Sequence, residues 1–278
     1  MKNIFSKLII AGYAIGFLWW AEFRLAGNAD TLESYYWGVI IFGCLPVLSG
    51  IYGMHLSRGW GGIKSVFGRA IFFLSAGLSL WGVGSWVFAY YNIVQAVSVP
   101  FPSFADAVYI GGVILWVVSI IYFAKAAGAK YGLRDLSKHP MWVLTPIVLL
   151  VISYYFIVTV ARGGVLFEEG SDMWAILFSL AYPFSDIVLL TIALTSYNLI
   201  HKFLGGLFKN TIRLTFFGFV MIYIADVAYS YTVNQETFYV GCWVDVLYLS
   251  TITIMSIAMT GFNRDRLESD QKSAQKTQ

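Results

Sequence analysis

Aspartate and tyrosine recur at one spacing inside segments that are otherwise strongly apolar. Three aspartates are each followed three residues later by a tyrosine, in the pairs Asp106 and Tyr109, Asp226 and Tyr229, and Asp245 and Tyr248. Residues three apart on a helix share a face, so each carboxyl group has a phenol beside it. A fourth acid, Asp186, follows Tyr182 and Pro183 in a similar segment. An ionisable residue within an apolar membrane segment marks a candidate functional site.

An unpaired buried carboxylate becomes protonated, binds a cation or faces water. The acids therefore predict one of three arrangements. The first is a pocket for a cationic or polar ligand with aromatic cation–π walls, the second is a hard metal ion held by Asp186, Asp226 and Asp245, and the third is a set of caps and hydrogen bonds that only support packing. The predicted ligand-binding residues are Asp106, Tyr109, Tyr182, Asp186, Asp226, Tyr229, Trp243, Asp245 and Tyr248, with Tyr223 and Trp86 as further wall candidates.

The composition indicates a membrane protein. Of the 278 residues, 59% are hydrophobic and 12% are charged, whereas a soluble domain is about 25% charged. The chain is therefore predicted to be an all-α polytopic protein whose main partner is the lipid bilayer. The net charge of +3 gives no reason to expect a nucleic-acid partner, because membrane orientation accounts for the basic residues.

The apolar segments are long enough for eight transmembrane helices, since one span needs about 20 apolar residues. We expect residues 1–262 to form a single transmembrane domain and residues 263–278 to form a short polar tail in the cytoplasm. The spans are predicted at about residues 6–24, 35–56, 69–93, 103–126, 140–161, 172–200, 211–232 and 238–261.

The basic residues predict that both termini are cytoplasmic. With eight spans, all but two of the 18 Lys and Arg residues fall on the side of the termini, and the exceptions are Arg24 and Arg162. This concentration of positive charge is typical of cytoplasmic segments. We interpret the first span, which resembles a signal peptide with its preceding Lys2 and Lys7, as a retained helix because an internal duplication requires it.

The same topology sets the depth of the acids. Asp106 lies in the first turn of the fourth helix, where a carboxylate favours the helix dipole. Asp245 is expected about two turns into the eighth helix, and Asp226 less than two turns from the outer end of the seventh. Asp186 is deepest, near the middle of the sixth helix. The four acids are thus predicted to face one outward-facing pocket.

The two halves of the chain resemble each other. Asp106-Ala-Val-Tyr109 matches Asp245-Val-Leu-Tyr248 at the same offset at which Val87-Phe-Ala-Tyr90 matches Asp226-Val-Ala-Tyr229. These matches predict two duplicated four-helix units, at about residues 1–130 and 131–262. Pro46 and Pro183 lie at equivalent places within helices, and each is expected to kink its helix.

The sequence lacks the residues that several cofactors and reactions require. The last predicted helix contains no Lys, so no retinal Schiff base of the rhodopsin kind is expected. His55 and His201 close the inner ends of corresponding helices and could bridge a haem, although interfacial histidines are the simpler interpretation. Because no nucleophile, base and orienting group share one depth, the sequence favours a non-enzymatic role and leaves any cofactor undefined. We interpret Cys44 and Cys242 as small core residues.

Several motifs resemble those of a known group of membrane regions. They are Pro100-Phe-Pro-Ser-Phe-Ala-Asp-Ala-Val-Tyr109, Ala181-Tyr-Pro-Phe-Ser-Asp186-Ile-Val-Leu-Leu190, Ala225-Asp-Val-Ala-Tyr229 and Asp245-Val-Leu-Tyr248. Over about residues 35–260 the chain resembles the N-terminal multi-helix membrane region of bacterial and archaeal signalling proteins, which precedes GGDEF/EAL or histidine-kinase output domains. The resemblance implies a prokaryotic sensory module in the cytoplasmic membrane. No output domain follows Asn263, so we expect a stand-alone relative or a fragment of a longer receptor.

The leading hypothesis is a sensor or receptor-like module that binds a small polar or cationic ligand or an ion. Movement about Pro183 would carry the signal to the basic inner loops, where a cytoplasmic signalling protein or anionic lipid headgroups could dock. Two alternatives stay open. The protein could be a small cation- or proton-coupled transporter whose duplicated halves rock against each other, or a structural subunit of a larger membrane complex.

Overall fold

The computed structural model describes residues 4–127, 141–165 and 172–263, and within them the secondary structure is helical without strands. Among these described residues, eight helices are long and apolar enough to cross a membrane, which confirms the predicted all-α architecture and the predicted number of candidate spans. The predicted tail after Asn263 and the side chain of His201 lie outside the described part. The helices are α1 (Ile4–Leu25), α2 (Leu32–Gly59), α3 (Val66–Gln95), α4 (Phe104–Ala126), α5 (Val143–Ala161), α6 (Met173–Tyr197), α7 (Phe208–Asn234) and α8 (Trp243–Thr260).

Several helices depart locally from regular α-helical geometry. Helices α3 and α5 end in π-helical segments, Tyr91–Gln95 and Tyr154–Ala161, and two further departures lie within the described helices. In α2 a π-helical segment, Gly38–Cys44, directly precedes Leu45 and Pro46. Proline has no backbone N–H to donate, so Pro46 interrupts the regular hydrogen-bond pattern of the helix. The π-helical hydrogen bonds lie directly before this interruption. Helices α6 and α7 form one helical run, Met173–Asn234, in which Phe208 has the non-helical dihedral angles φ −111° and ψ 18°. Helical dihedral angles continue through Pro183, and the kink expected there stays a prediction.

The helices alternate in direction, which gives the bundle two distinct ends. At one end the Asp30 N–H donates to the Val240 carbonyl over 2.9 Å. At the other end the Trp60 Nε1–H donates to the Phe262 carbonyl over 2.7 Å. We call the first the distal end and the second the proximal end; the distal end carries residues 26–31, 96–103 and 235–242, and the proximal end carries residues 60–65 and 261–263.

Small residues bring α3 and α4 into close contact. A methyl group added to Gly77 would lie 2.8 Å from the Gly112 carbonyl oxygen and 2.5 Å from the Trp116 ring. This proximity lets α4 side chains reach α3 carbonyls: Trp116 donates to Leu74 over 3.2 Å, and Ser119 donates to Ala70 over 2.7 Å. In lipid, helices associate through such packing and interhelical hydrogen bonds. The α3–α4 pair is therefore a rigid part of the bundle.

Helix α1 is joined to α2 and α8 by polar contacts along its length. The Tyr13 hydroxyl lies 3.2 Å from the Ser256 hydroxyl, and Ser6 donates to Thr260 over 2.6 Å. On the other side, the fully buried Trp37 donates to the Gly16 carbonyl over 2.7 Å. The helix that resembles a signal peptide in sequence is thus an integral part of this packing.

Aromatic side chains from several helices fill the proximal end. The Phe262 ring lies 5.4 Å from Phe123, 5.5 Å from Phe208 and 6.0 Å from Phe67. Trp60 packs edge-on against Phe67 and Phe208, at 5.1 and 5.5 Å. Such edge-to-face contacts add stability to area burial alone. A group of packed rings from α3, α4, α7 and the residues that follow α2 and α8 therefore lies at the proximal end.

Replacing Gly77 with alanine is expected to destabilise the bundle. The added methyl group meets a backbone carbonyl at 2.8 Å, and overpacking of this kind lowers the free energy of unfolding by about 1–3 kcal/mol. The matched control is Gly111→Ala, whose methyl group has its nearest neighbour at 3.7 Å. Unfolding in detergent, followed by tryptophan fluorescence, should show a lower midpoint for the first variant only. Equal midpoints would contradict the close approach of α3 and α4.

Candidate functional site

The four acids and their tyrosines lie on different helices that meet toward the distal end. Asp106 is on α4, Asp186 is on α6, Asp226 is on α7 and Asp245 is on α8. Helix α4 packs against the α6–α7 run, which in turn packs against α8. The bundle therefore brings together residues that are far apart in the chain.

Asp106 joins the start of α4 to α6. Its Oδ2 accepts hydrogen bonds from the Ser103 N–H at 2.6 Å and from the Ser103 hydroxyl at 2.8 Å. This is the capping box of α4 and confirms that Asp106 lies in the first turn. Its other oxygen, Oδ1, accepts from the Tyr182 hydroxyl at 2.8 Å. The carboxyl group thus has a capping role and also holds a residue of the predicted site.

Asp245 occupies the same position in α8. The prediction that it lies about two turns into its helix is wrong, because α8 begins at Trp243 and Asp245 is in its first turn. The chain before it turns at Gly241, whose φ of +90° is in the left-handed region, which favours glycine. The Gly241 N–H donates to Asp245 Oδ2 over 2.6 Å. Asp245 is 7% exposed, so this cap is buried.

Asp186 and Asp226 form a pair of carboxyl groups. Their side chains are within hydrogen-bonding distance of each other. Asp186 is 3% exposed, whereas Asp226 is half-buried. Two bare carboxylates at this distance repel each other, so the pair has to share a proton or a bound cation. The Tyr248 hydroxyl donates to Asp226 Oδ1 over 2.5 Å and fixes that side of the pair.

Tyr229 lies between the acids. Its phenol is within electrostatic reach of Asp106, Asp226 and Asp245. Its ring packs edge-on against Phe238 at 4.7 Å, which holds it in place. Among the described residues its hydroxyl has no hydrogen-bond partner, and the side chain is half-buried rather than sealed in the core. A positioned hydroxyl of this kind is available to a ligand or to water.

Trp81 of α3 forms an aromatic wall that the sequence analysis missed. Its ring lies 5.5 Å from Tyr109 and 5.9 Å from Tyr248, and it is 7% exposed. The Tyr109 hydroxyl is 3.1 Å from the Ser85 hydroxyl, and Tyr109 packs against Gly84, where any side chain would collide with its ring. The glycines around Trp81 were the available sequence signal, since they mark places where another side chain approaches α3 closely.

The described residues contain no group of three His, Cys, Asp or Glu side chains that could hold a metal ion. The structure therefore pairs Asp186 with Asp226 without bringing Asp245 into a three-carboxylate set. The chemistry of the site is that of a carboxyl pair, two capping carboxylates and several phenols. Such groups recognise protons, monovalent cations, amines and polar molecules that donate hydrogen bonds.

Comparisons with models of protein families, with curated proteins and with solved structures find no match for this chain. The resemblance to membrane sensor regions stays a prediction. The function has to be inferred from the chemistry of the acid–tyrosine cluster, by which we mean Asp106, Tyr182, Asp186, Asp226, Tyr229, Asp245 and Tyr248.

Three further aromatic residues that the sequence suggested lie at the edge of this cluster or away from it. Trp243 is the first residue of α8 and is 52% exposed. Trp86 donates to the Val39 carbonyl over 3.1 Å and lines a separate cleft near Tyr90. The Tyr223 hydroxyl lies 2.9 Å from the Ser153 hydroxyl and so connects α7 to α5. In the described structure, Trp81 holds the central aromatic position instead.

Two conservative variants, Tyr248→Phe and Tyr229→Phe, test which tyrosine hydroxyl stabilises the fold through a hydrogen bond. Tyr248→Phe removes the donor to Asp226 and is expected to lower the free energy of unfolding by about 1–3 kcal/mol. Tyr229→Phe removes a hydroxyl without a described partner and is expected to change it by less than about 0.5 kcal/mol. Denaturant titration of the purified protein measures both. Equal losses would show that the Tyr229 hydroxyl also has a structural partner.

Proposed function

We propose that this protein is a membrane-embedded, receptor-like sensor that binds a small cationic or polar ligand in the acid–tyrosine cluster. One observation carries the proposal. The Tyr229 hydroxyl lies within electrostatic reach of Asp106, Asp226 and Asp245 and has no hydrogen-bond partner among the described residues. A phenol that is held in place beside carboxyl groups, and that has no internal partner among the described residues, can donate a hydrogen bond to a bound ligand or accept one from it.

The ligand class follows from the charges at the site. The cluster carries carboxyl groups and phenols, and a shared proton or cation is required between Asp186 and Asp226. An amine or quaternary ammonium group would replace that proton and face the aromatic rings of Trp81 and Tyr248. A small cation would be held by the carboxyl pair itself. Anionic ligands are disfavoured by the same carboxylates.

Ligand binding would act on α6. In the most apolar stretch of α6, 22% of the residues are buried within the bundle, compared with 50% in α3 and 56% in α8. Two polar contacts within the cluster, Tyr182 with Asp106 and Asp186 with Asp226, connect α6 to α4 and α7. A ligand that competes for these contacts would shift α6, and the shift would reach the connection to α7 at the proximal end.

We further infer that the chain consists of two four-helix units with both termini in the cytoplasm. The matching positions of Asp106 and Asp245 support the duplication, because each lies in a first turn and accepts an N–H from just before its helix. The distribution of Lys and Arg supports the orientation. The proximal end is then cytoplasmic, where a signalling protein could bind. The resemblance to prokaryotic sensor regions supports a location in the cytoplasmic membrane.

A ligand screen with matched acid variants tests this function. Thermal unfolding of the purified protein should be measured with monovalent cations, amines and quaternary ammonium compounds. A ligand at one hundred times its Kd stabilises the native state by about 2.7 kcal/mol, which raises the midpoint. Asp226→Asn should lower the affinity at least about tenfold, because truncating one partner of a buried charge contact typically costs more than about 2 kcal/mol.

The control variant is Asp172→Asn, which alters an exposed acid outside the cluster and retains a good helix cap. It should leave the midpoint shift unchanged. Tyr229→Phe provides a second variant that keeps every described internal hydrogen bond of the cluster. A ligand whose affinity is the same in wild type, Asp226→Asn and Tyr229→Phe would place its binding elsewhere and refute the proposed site.

A proton-coupled transporter is the second candidate, and the Asp186–Asp226 pair favours it. A carboxyl pair that holds a proton in the membrane is the device that proton relays use. The rings of Phe67, Phe123 and Phe262 favour the receptor, because they pack against one another at the proximal end. Transport would require these rings to separate during each cycle.

Proton release on ligand binding can be measured for both candidates, the sensor and the transporter. A cation that displaces the shared proton should release about one proton per binding event, and its apparent affinity should rise with pH because fewer protons compete. Titration calorimetry in buffers of different ionisation enthalpy measures the release. Proteoliposomes with an imposed pH gradient then separate the candidates: a sensor binds without flux, whereas a transporter accumulates the ligand. Binding with no proton release would contradict displacement at the pair.

A further inference from the structure

A second site of different chemistry lies between α6 and α7, away from the acid–tyrosine cluster. It is a cleft of about 230 Å³ lined by Leu194, Tyr197, Arg213, Phe216, Phe217 and Val220. Phe217 is 50% exposed and Leu194 is 39% exposed, so the cleft opens on the surface of the bundle. The edge-on contact of Tyr197 with Phe216, at 5.1 Å, shapes its floor.

The cleft has a polar end and an apolar end. Tyr197 lies toward the proximal end of α6, and Arg213 lies near the start of α7. Val220 is about 10 Å further along α7, at a helical rise of about 1.5 Å per residue. The cation is therefore near the end of the span, where lipid headgroups lie, and the apolar walls extend toward the membrane interior. This polarity matches an amphiphile that is aligned with the helices.

The charged residues around the cleft indicate which class of lipid headgroup it would bind. Arg213 is exposed, and no ion-pair partner for it occurs among the described side chains. Lys209 is exposed one helical turn before it, on the same face. The sequence between Asp186 and Asp226 contains no acid, whereas it contains Lys202, Lys209 and Arg213. A phosphate without a compensating positive group would neutralise these cations better than a zwitterionic headgroup.

We propose that this cleft binds one anionic phospholipid, with its phosphate at Arg213 and one acyl chain along Leu194, Phe217 and Val220. The lipid would bridge α6 and α7 across the break in helical geometry at Phe208. It would thus bind at the pair of helices that carry Asp186 and Asp226. The proposal does not depend on what the acid–tyrosine cluster binds.

Native mass spectrometry of the full chain in detergent tests the site, with phosphatidylglycerol and phosphatidylcholine of identical acyl chains as probes. We expect phosphatidylglycerol to bind at least about fivefold more tightly, since one interfacial cation contributes about that factor. Arg213→Gln should remove the preference. Arg58→Gln is the control, because Arg58 is also exposed near the proximal end but outside the cleft.

A second pair of variants tests the apolar walls without changing charge. Leu194→Trp fills the cleft and should reduce phosphatidylglycerol binding, whereas Leu177→Trp adds the same bulk at another exposed position of α6 and should not. Equal binding of the two lipids would overturn the proposal, and so would equal effects of Arg213→Gln and Arg58→Gln. Thermal stabilisation by inorganic phosphate or glycerol phosphate equal to that by the lipid would assign the cleft to a free anion instead.

Discussion

The arrangement of this bundle depends on how four carboxyl groups are accommodated among apolar helices. A buried ion without a partner costs several kcal/mol even after the surroundings relax. Asp106 and Asp245 meet this constraint by accepting N–H groups that α4 and α8 would otherwise leave unpaired at their starts. Asp186 and Asp226 meet it by pairing with each other, with Tyr248 as an additional donor. Each solution requires a particular neighbour, so the acids also determine which helices must meet.

The two capping acids and the Asp186–Asp226 pair differ in whether they could bind a ligand. The capping acids Asp106 and Asp245 each accept a backbone N–H next to the start of their own helix, and this contact needs no ligand. The Asp186–Asp226 pair needs a shared proton or cation, and the Tyr229 hydroxyl has no hydrogen-bond partner within the described structure. A stable frame and an exchangeable centre are what a binding site in a membrane requires, since binding must change contacts without unfolding the helices.

The bundle is rigid on one side of the site and less firmly packed on the other. Close packing of α3 on α4 at Gly77 fixes Trp81 and Tyr109, which form one wall. Helix α6 forms the opposite side, with a smaller buried share and a proline beside its acid. The cleft lined by Leu194, Arg213 and Val220 lies on this same α6–α7 side. The proposed ligand and the proposed lipid would therefore contact the same pair of helices at different depths, so that membrane composition could tune ligand binding.

The sequence by itself determined the class of the protein, its eight spans and the identity of the acids. Hydropathy decides the spans because every backbone polar group must be satisfied within a helix in lipid, and a carboxyl group within such a span is conspicuous. Asp106 as a cap was also predictable, since the Ser103 to Asp106 spacing is local. The start of α8 was not, because the turn at Gly241 shortened the predicted helix at its beginning.

Only the tertiary structure decided which acids share a contact. The sequence suggested that Asp186, Asp226 and Asp245 could hold one metal ion, whereas in the described structure Asp186 pairs with Asp226 and Asp245 accepts the Gly241 N–H. The tertiary structure likewise placed Trp81, and not Trp243, at the aromatic wall. Spacing along a helix identifies the residues on one face, whereas the packing of small residues between helices decides which neighbour that face meets.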